Sequence, residues 1–462
     1  MPRIGRIRWM FLCLFMPSLV TAAPLDGVLD PILARARLKA ETYGIQIVSL
    51  PAGETLYAKN ADLPLNPASN IKILTAATAL AKLSPDFRFE TRVAVSGSDA
   101  CLIGGGDPSL VDETMWMLVE EARRAGLGRI ERDLIVDSTL FPTVRENADT
   151  FEGDMDRAFT APVAALSVNF NSLTLYVTPM DLGGRPSVHL EPDLPIFEVR
   201  SRAVTASSGG KRDIGASVDW KGEKGMVALS GRIGVKSDTV AIYRTVPAPA
   251  LYAGAVFLEH FRRAGGLLKG HVKEGRCPET FSEQVRFRSR PLSEIVSGLD
   301  KFSNNFIAEM LLRAVGDEPT PESGLKAVRA WLTSASIPAP ELVMENASGL
   351  SKKNRVCART LASVLRTAAA DFKIGPEFVS SLSILGVDGS LRKWLKDSEA
   401  KALVRAKSGM LSDVVALSGY ADTPAHGRLA FSFLFRAAPG QHAALMQLEQ
   451  SLLTALVAPP KR

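Results

Sequence analysis

Histidine is scarce in this chain, and what there is lies scattered. The five histidines (His189, His260, His271, His426 and His442) fall in no motif, so a Ser-His-Asp hydrolase has no support. Metal-ligand spacings are missing as well. No Cys-x-x-Cys or His-x-x-x-His pair suggests zinc, and no cofactor is called for. There is no Arg/Lys block with interleaved aromatics, which leaves nucleic acid out of the expected partners. Cysteine is limited to four residues: Cys13 near the start, then Cys101, Cys277 and Cys357. An odd number in an oxidising compartment leaves at least one free thiol, and Cys101 and Cys277 can pair if their segments meet in space.

No apolar run is long enough to span a bilayer, and membrane contact is expected to be peripheral at most. The run from Trp9 to Val20 is short and broken by Pro17. Arg3, Arg6 and Arg8 precede it, and Thr21-Ala22-Ala23 follow it. A basic start, a short apolar core and small residues at the exit are the marks of a secretory signal peptide over residues 1–23. Cys13 lies inside the apolar core, which does not fit a lipid-attachment site. The expectation is an exported, periplasmic protein. Without this leader, 52 basic residues face 49 acidic ones, too small a bias to imply a polyanionic partner.

What is present is a chain of 462 residues, 46% hydrophobic and 23% charged, long enough for two or three globular domains. One stretch stands out, Asn66-Pro67-Ala68-Ser69-Asn70-Ile71-Lys72. Asn66 suits a helix N-cap and Pro67 the first helical position, while Ile73, Ala76, Ala77, Leu80 and Leu83 recur at helical spacing. Ser69 and Lys72 then share nearly one face of the first turns, a hydroxyl beside an amine that could take its proton. The same Ser-x-x-Lys spacing recurs at Ser208/Lys211, Ser323/Lys326 and Ser398/Lys401, in stretches that read as loop or polar surface.

In order, residues 24–39 read as a helix, Tyr43 to Leu50 and Thr55 to Ala58 as strands about a turn at 51–54. Strands at Phe89 to Val95, Ala100 to Ile103 and Arg132 to Val136 surround a helix from Val111 to Arg124. Gly104-Gly105-Gly106-Asp107-Pro108 lacks a following Gly-Lys-Ser/Thr, which makes it a backbone turn and not a phosphate cradle. A β-rich stretch follows, with strands at Leu173 to Val177, Val188 to Leu190, Ile196 to Val204 and Val227 to Ile233; a helix runs from Leu251 to Ala264. Two amphipathic segments, from Leu292 and from Phe306, meet at Lys301-Phe302-Ser303-Asn304-Asn305. Val387-Asp388-Gly389-Ser390 reads as a turn before a helix at Leu391. Lys407-Ser408-Gly409-Met410 ends a strand, Val414 to Ala421 and Arg428 to Phe435 are strands, and a helix over Ala443 to Val457 closes the chain.

Three polar sets therefore stand in order: Ser69-Asn70-Ile71-Lys72, Ser303-Asn304-Asn305 and Lys407-Ser408-Gly409. In this order the chain resembles the low-molecular-mass, multi-domain penicillin-binding proteins, the D-alanyl-D-alanine carboxypeptidase/endopeptidase family. Further matches are Gly104 to Pro108, Ala161 to Asn169, Tyr243-Arg244, Pro249 to Gly254, Ser348 to Ser351 and Gly386 to Gly389, covering nearly everything after the leader.

The resemblance implies an α+β fold: a penicillin-binding-protein/serine β-lactamase-like domain, an antiparallel sheet flanked by helices, with inserted α+β and β-rich domains. The expected division is a catalytic domain over 24–87 and 288–462, an inserted α+β domain over 88–165 and 242–287, and a β-rich insert over 166–241. It further implies Ser69 as nucleophile, Lys72 as base, Ser303 as proton relay and Asn305 as holder of a substrate amide. Lys407 and Ser408 would meet a terminal carboxylate, and backbone N–H groups of Ser69 and Met410, beside Gly409, would form an oxyanion hole. The implied partners are peptidoglycan stem peptides, with β-lactams as covalent inhibitors. A non-catalytic wall-binding protein and a β-lactamase are the alternatives. Two positions depart from the family: Ser408 replaces threonine but keeps the hydroxyl, and Asn346-Ala347 replaces Asp-Gly, altering the groove or a local turn.

Overall fold

Alternation of apolar residues along the strands builds the central sheet with both faces buried. Phe431, Phe433 and Phe435 face one apolar cluster, while Ala430 and Leu434 face another. The computed structural model describes residues 24–50, 52–145, 156–209 and 213–459. The proposed leader, Pro51 of the first turn and Lys211 lie outside the described residues.

Six strands form this antiparallel sheet, in the order Ser383–Ile384, Val404–Leu411, Val414–Thr423, Gly427–Arg436, Tyr43–Ser49 and Thr55–Lys59. The first strands of the chain thus complete a sheet begun by the last. Helices Leu25–Ala36 and His442–Val457 cover one face through Leu29, Leu33, Leu445 and Leu452. The other face packs against helices Lys72–Leu83, Leu292–Phe302, Asn305–Val315, Pro321–Ser334 and Ala358–Ala370. From Lys72 to Leu80 every residue is buried, so this helix is enclosed on all sides, whereas its spacing predicts only a stripe.

Strands between residues 90 and 288 belong to further sheets. One has five strands, in the order Val272–Glu274, Leu134–Asp137, Asp99–Ile103, Glu90–Ser96 and Ser282–Arg288. Helices Asp112–Arg124 and Pro249–Arg263 join it in an apolar cluster that continues into the β-rich stretch. Cys101 and Cys277 form a disulfide here, and Cys357 is free and buried. Gly104 and Gly105 are needed for packing: a Cβ on the first would lie 2.4 Å from the Ala165 carbonyl oxygen, and on the second 1.9 Å from that of Glu90.

Several local expectations change. The strand expected over Ile196 to Val204 divides into Phe197–Ser201 and Val204–Ala206, because Ala203 N donates to Ser201 Oγ and turns the chain. Strand Ile214–Lys221 was hidden in the sequence because only Ile214 and Val218 of its residues are buried. Ser323 and Lys326 lie on an amphipathic helix, Pro321–Ser334, and not in a surface stretch without a stripe. At Leu391 there is only the 3-10 turn Gly389–Leu391. Among the described residues no helix is long and apolar enough to cross a membrane.

Candidate active site

The stretch around Ser69 does not begin as the simple α-helix that Asn66 and Pro67 predict. Ala68–Ile71 form a 3-10 turn, and the α-helix starts at Lys72. Pro67, not Asn66, stands at the N-cap and no side chain caps the turn; Asn66 Oδ1 instead closes a local turn before it by accepting from Ala68 N at 2.8 Å. Ala68 takes a left-handed conformation at φ 46°, uncommon for a residue with a Cβ. The loop of Ser348 to Ser351 packs tightly against this turn: a Cβ on Gly349 would lie 2.2 Å from the Ala68 carbonyl oxygen. Ser69 is thereby held half-buried at the turn's edge.

Lys72 is wholly buried, and its Nζ lies 3.0 Å from Ser69 Oγ and 2.8 Å from Asn305 Oδ1, with a third contact to the Ser348 carbonyl oxygen. Burial pushes its pKa well below the usual lysine value, and the nearby charge of Lys407 pushes it the same way, against Glu309 and Asp300. The partners then dictate the proton arrangement. A neutral amine has two N–H donors and one lone pair. Ser348 O and Asn305 Oδ1 can only accept, so both donors go to them. The lone pair is left for the Ser69 hydroxyl proton, the arrangement a general base requires.

Ser303 ends the helix Leu292–Phe302 in a left-handed conformation at φ 56°, and Asn304 caps the next helix by accepting from Ile307 N at 3.1 Å. This corner turns both Ser303 and Asn305 toward the lysines. Lys407 Nζ donates to Ser303 Oγ at 2.8 Å and to the Ser408 carbonyl oxygen at 2.9 Å. Lys407 is fully buried, which lowers its pKa to about 8 against the opposing charge of Asp300.

The Lys-Ser-Gly set lies within strand Val404–Leu411 and not at a strand end. Its neighbour Ser383–Ile384 pairs only with Ala406 and Arg405, so the edge from Lys407 onward stays open beside Ser69. Gly409 keeps that approach close: a Cβ there would stand 2.8 Å from Asn70 Nδ2 and 3.1 Å from Ser69 N. Met410 follows, half-exposed on the rim. Hydrogen bonds, the charge interaction between the two lysines and the close approach of Gly409 thus bring Ser69, Lys72, Ser303, Asn305, Lys407, Ser408 and Gly409 together.

Some participants carry no motif. Asn305 Nδ2 donates to the Phe159 carbonyl oxygen at 3.0 Å, tying the inserted region to the pocket. Glu309 is buried and accepts from Ser348 N at 2.7 Å. Asp300, buried one turn before Ser303, accepts from Ser381 Oγ at 2.8 Å, and burial raises its pKa to about 6. Both acids sit on apolar helix faces, a readable sign in sequence. Asn346, buried, accepts from Gly349 N and Asn354 Nδ2, so this departure holds a local turn. Two of the other Ser-x-x-Lys serines are engaged locally: Ser323 Oγ accepts from Glu318 N, and Ser398 Oγ donates to the Leu395 carbonyl oxygen. Among the described residues no cluster of His, Cys, Asp or Glu could hold a metal ion.

Comparison with known proteins places this geometry. A D-alanyl-D-alanine carboxypeptidase of Actinomadura sp. (strain R39) is 32% identical over 432 residues, 88% of this chain and 80% of that protein. The DacB carboxypeptidase of Haemophilus influenzae is 26% identical over 79% of each chain. The crystal structure of penicillin-binding protein 4 from Haemophilus influenzae superposes with a TM-score of 0.76 at 22% identity, covering 93% of this chain and 98% of that one. The sequence pattern of the D-Ala-D-Ala carboxypeptidase 3 (S13) family matches residues 25–452. The chain therefore belongs to the D-Ala-D-Ala carboxypeptidase 3 (S13) family, as a serine-type carboxypeptidase on the penicillin-binding protein 4 fold.

Proposed function

We propose that this protein hydrolyses the D-Ala-D-Ala ends of peptidoglycan stem peptides, or the D-Ala-meso-diaminopimelate crosslinks between them, through an acyl-enzyme on Ser69. The observation that supports this reading best is the Lys72 amine, buried, 3.0 Å from Ser69 Oγ and with both N–H donors committed elsewhere. Ser69 Oγ attacks the carbonyl carbon of the penultimate D-Ala while Lys72 takes its proton. Backbone N–H groups of Ser69 and Met410 stabilise the oxyanion, each worth about 3 kcal/mol in such sites. The C–N bond then breaks, and Ser303 passes the proton from Lys72 to the leaving amine. Water attacks the ester, gives a proton back through Lys72 and restores the Ser69 hydroxyl. Asn305 holds the substrate amide, while Lys407 and Ser408 receive the terminal carboxylate.

β-Lactams would acylate Ser69 by the same attack. We place the protein outside the cytoplasmic membrane, exported by the leader over residues 1–23. Labelled penicillin should form one covalent adduct per folded chain, mapping to Ser69 by peptide mass; absence of that adduct overturns the reading. Digestion of purified muropeptides, followed for free D-alanine against cleaved crosslinks, assigns the bond.

A further inference from the structure

One hydroxyl beside the pocket belongs to none of the three polar sets. Ser390 Oγ lies 2.8 Å from Ser408 Oγ, and Ser390 is exposed. Its position is built, not incidental. Asp388, two residues before it, pairs with Lys301 Nζ at 2.6 Å and accepts from Ile384 N at 2.7 Å. Gly389 takes φ 57°, and a Cβ there would stand 2.3 Å from Ser383 Oγ and 2.8 Å from the Lys301 carbonyl oxygen. Ser390 N donates to Ser383 Oγ at 3.2 Å. The segment is thus fastened to the helix end that carries Ser303 and to the strand beside Lys407.

Counting protons gives this cluster a direction. Ser383 Oγ already accepts from Ser390 N, and it lies 3.4 Å from both the Lys301 carbonyl oxygen and Ser390 Oγ, so neither of those contacts is strong. The Ser390 proton has two acceptors, Ser408 Oγ at 2.8 Å and Ser383 Oγ at 3.4 Å, and the shorter contact is the stronger. When Ser390 gives its proton to Ser408, the Ser408 proton is left free to meet a ligand. A hydroxyl held as a donor beside the Lys407 ammonium suits an anion with two oxygens.

We propose that Ser390 is a positioning residue for the reaction: it orients the Ser408 hydroxyl as a donor and so sets the preference for substrates with a free terminal carboxylate. The inference rests on the proposed role of Ser408. Removing the Ser390 hydroxyl frees Ser408 to rotate, weakening binding of a carboxylate more than that of a neutral end.

The test compares a peptide ending in D-Ala-D-Ala with its C-terminal amide, for wild type, Ser390→Ala, Ser390→Thr, Ser408→Ala and the double alanine variant. With Ser390→Ala, the carboxylate-over-amide ratio of kcat/KM should fall about tenfold, the loss residing in KM. Ser390→Thr should restore the ratio, and the double variant should be no worse than Ser408→Ala alone. A ratio unchanged by Ser390→Ala, or equal losses on both peptides, overturns the inference. Labelled penicillin separates the two ideas. No adduct on wild-type Ser69 overturns the enzymatic reading, whereas an adduct with an unchanged ratio overturns the Ser390 role alone.

Discussion

Two parts of this molecule take ionisable groups wholly out of water, and they treat them differently. Beneath the pocket, Lys72, Lys407 and Asp300 have no exposed surface; in the C-terminal helix, neither has Glu449. The lysines reach hydrogen-bond acceptors on three separate segments, and Asp300 accepts from Ser381 while facing both of them. Among the described residues Glu449 has no hydrogen-bond partner on either carboxylate oxygen, and its helix buries Leu445, Leu448, Leu452 and Leu453 around it. Burial disfavours charge in both places. With partners, the group keeps a proton equilibrium that chemistry can use: Lys407 stands at about 8 and Asp300 at about 6. Without partners, Glu449 is driven by burial well above the usual carboxyl range, which favours its protonated form.

The sharpest way to break this contrast is Lys72→Met. The methionine keeps the length and loses the amine, so acylation of Ser69 by penicillin should slow about 10³-fold. The melting temperature should hold or rise, because an apolar chain replaces an amine the fold must desolvate. A variant that still acylates at the wild-type rate, or that melts well below wild type, would show that Lys72 serves the fold and not the chemistry.

A smaller effect follows from pH. Lys407 must be charged to hold a carboxylate, so KM for a carboxylate peptide should rise above pH 8, by about tenfold for each further unit. The groups facing this amine are Asp300 and Lys72; Asp300 itself also faces Lys301 and Tyr420. Asp300→Asn removes the one nearby anion that favours the Lys407 charge, so this limb should move to lower pH. Stability changes with the opposite sense. Between about 8 and 10.5 the unfolded lysine still binds a proton that the folded one has released, so the Lys407 contribution favours folding increasingly as pH rises through that window. A limb that stays fixed in Asp300→Asn would remove Asp300 from the pocket's electrostatics.

How far the pocket was legible follows from the same contrast. Ser69, Lys72, Ser303, Asn305, Lys407 and Ser408 could be read because their chemistry resides in side chains at fixed spacings. The Ser348 carbonyl that takes one Lys72 N–H and the Phe159 carbonyl that holds Asn305 could not, since any residue would offer them. Asp300 and Glu309 left a trace as acids on apolar helix faces, continuing the stripes of Leu292, Ile295, Val296 and Leu299 and of Phe306 and Met310. The left-handed turns at Ala68 and Ser303 left none, because both residues adopt them only under tertiary packing. In the fold, helices such as Lys72–Leu83 and Asp112–Arg124 and the two-faced sheet showed as long periodic or continuous apolar runs, whereas helices Pro321–Ser334 and Ala358–Ala370 were not read. Ile214–Lys221 escaped because most of its residues face solvent.

The mildest prediction tests the unpartnered side of the comparison. Glu449→Leu replaces a protonated carboxyl, lacking hydrogen bonds, with an apolar chain of similar reach inside a leucine cluster. The fold should gain about 1–3 kcal/mol, the usual cost of a buried polar group left unsatisfied, read as a higher melting temperature. The pH dependence separates this cause from better packing alone. In wild type the unfolded carboxyl ionises above pH 4.5 while the folded one keeps its proton, so stability should fall as pH rises from there. The leucine variant should lose that slope, so its advantage should narrow toward acid pH to the part that comes from the unsatisfied carboxyl itself, while penicillin still labels Ser69 at the wild-type rate. A variant that melts lower at every pH would mean the carboxyl finds partners in solution. The difference between the two buried sites would then be one of degree, and burial alone would not distinguish the pocket.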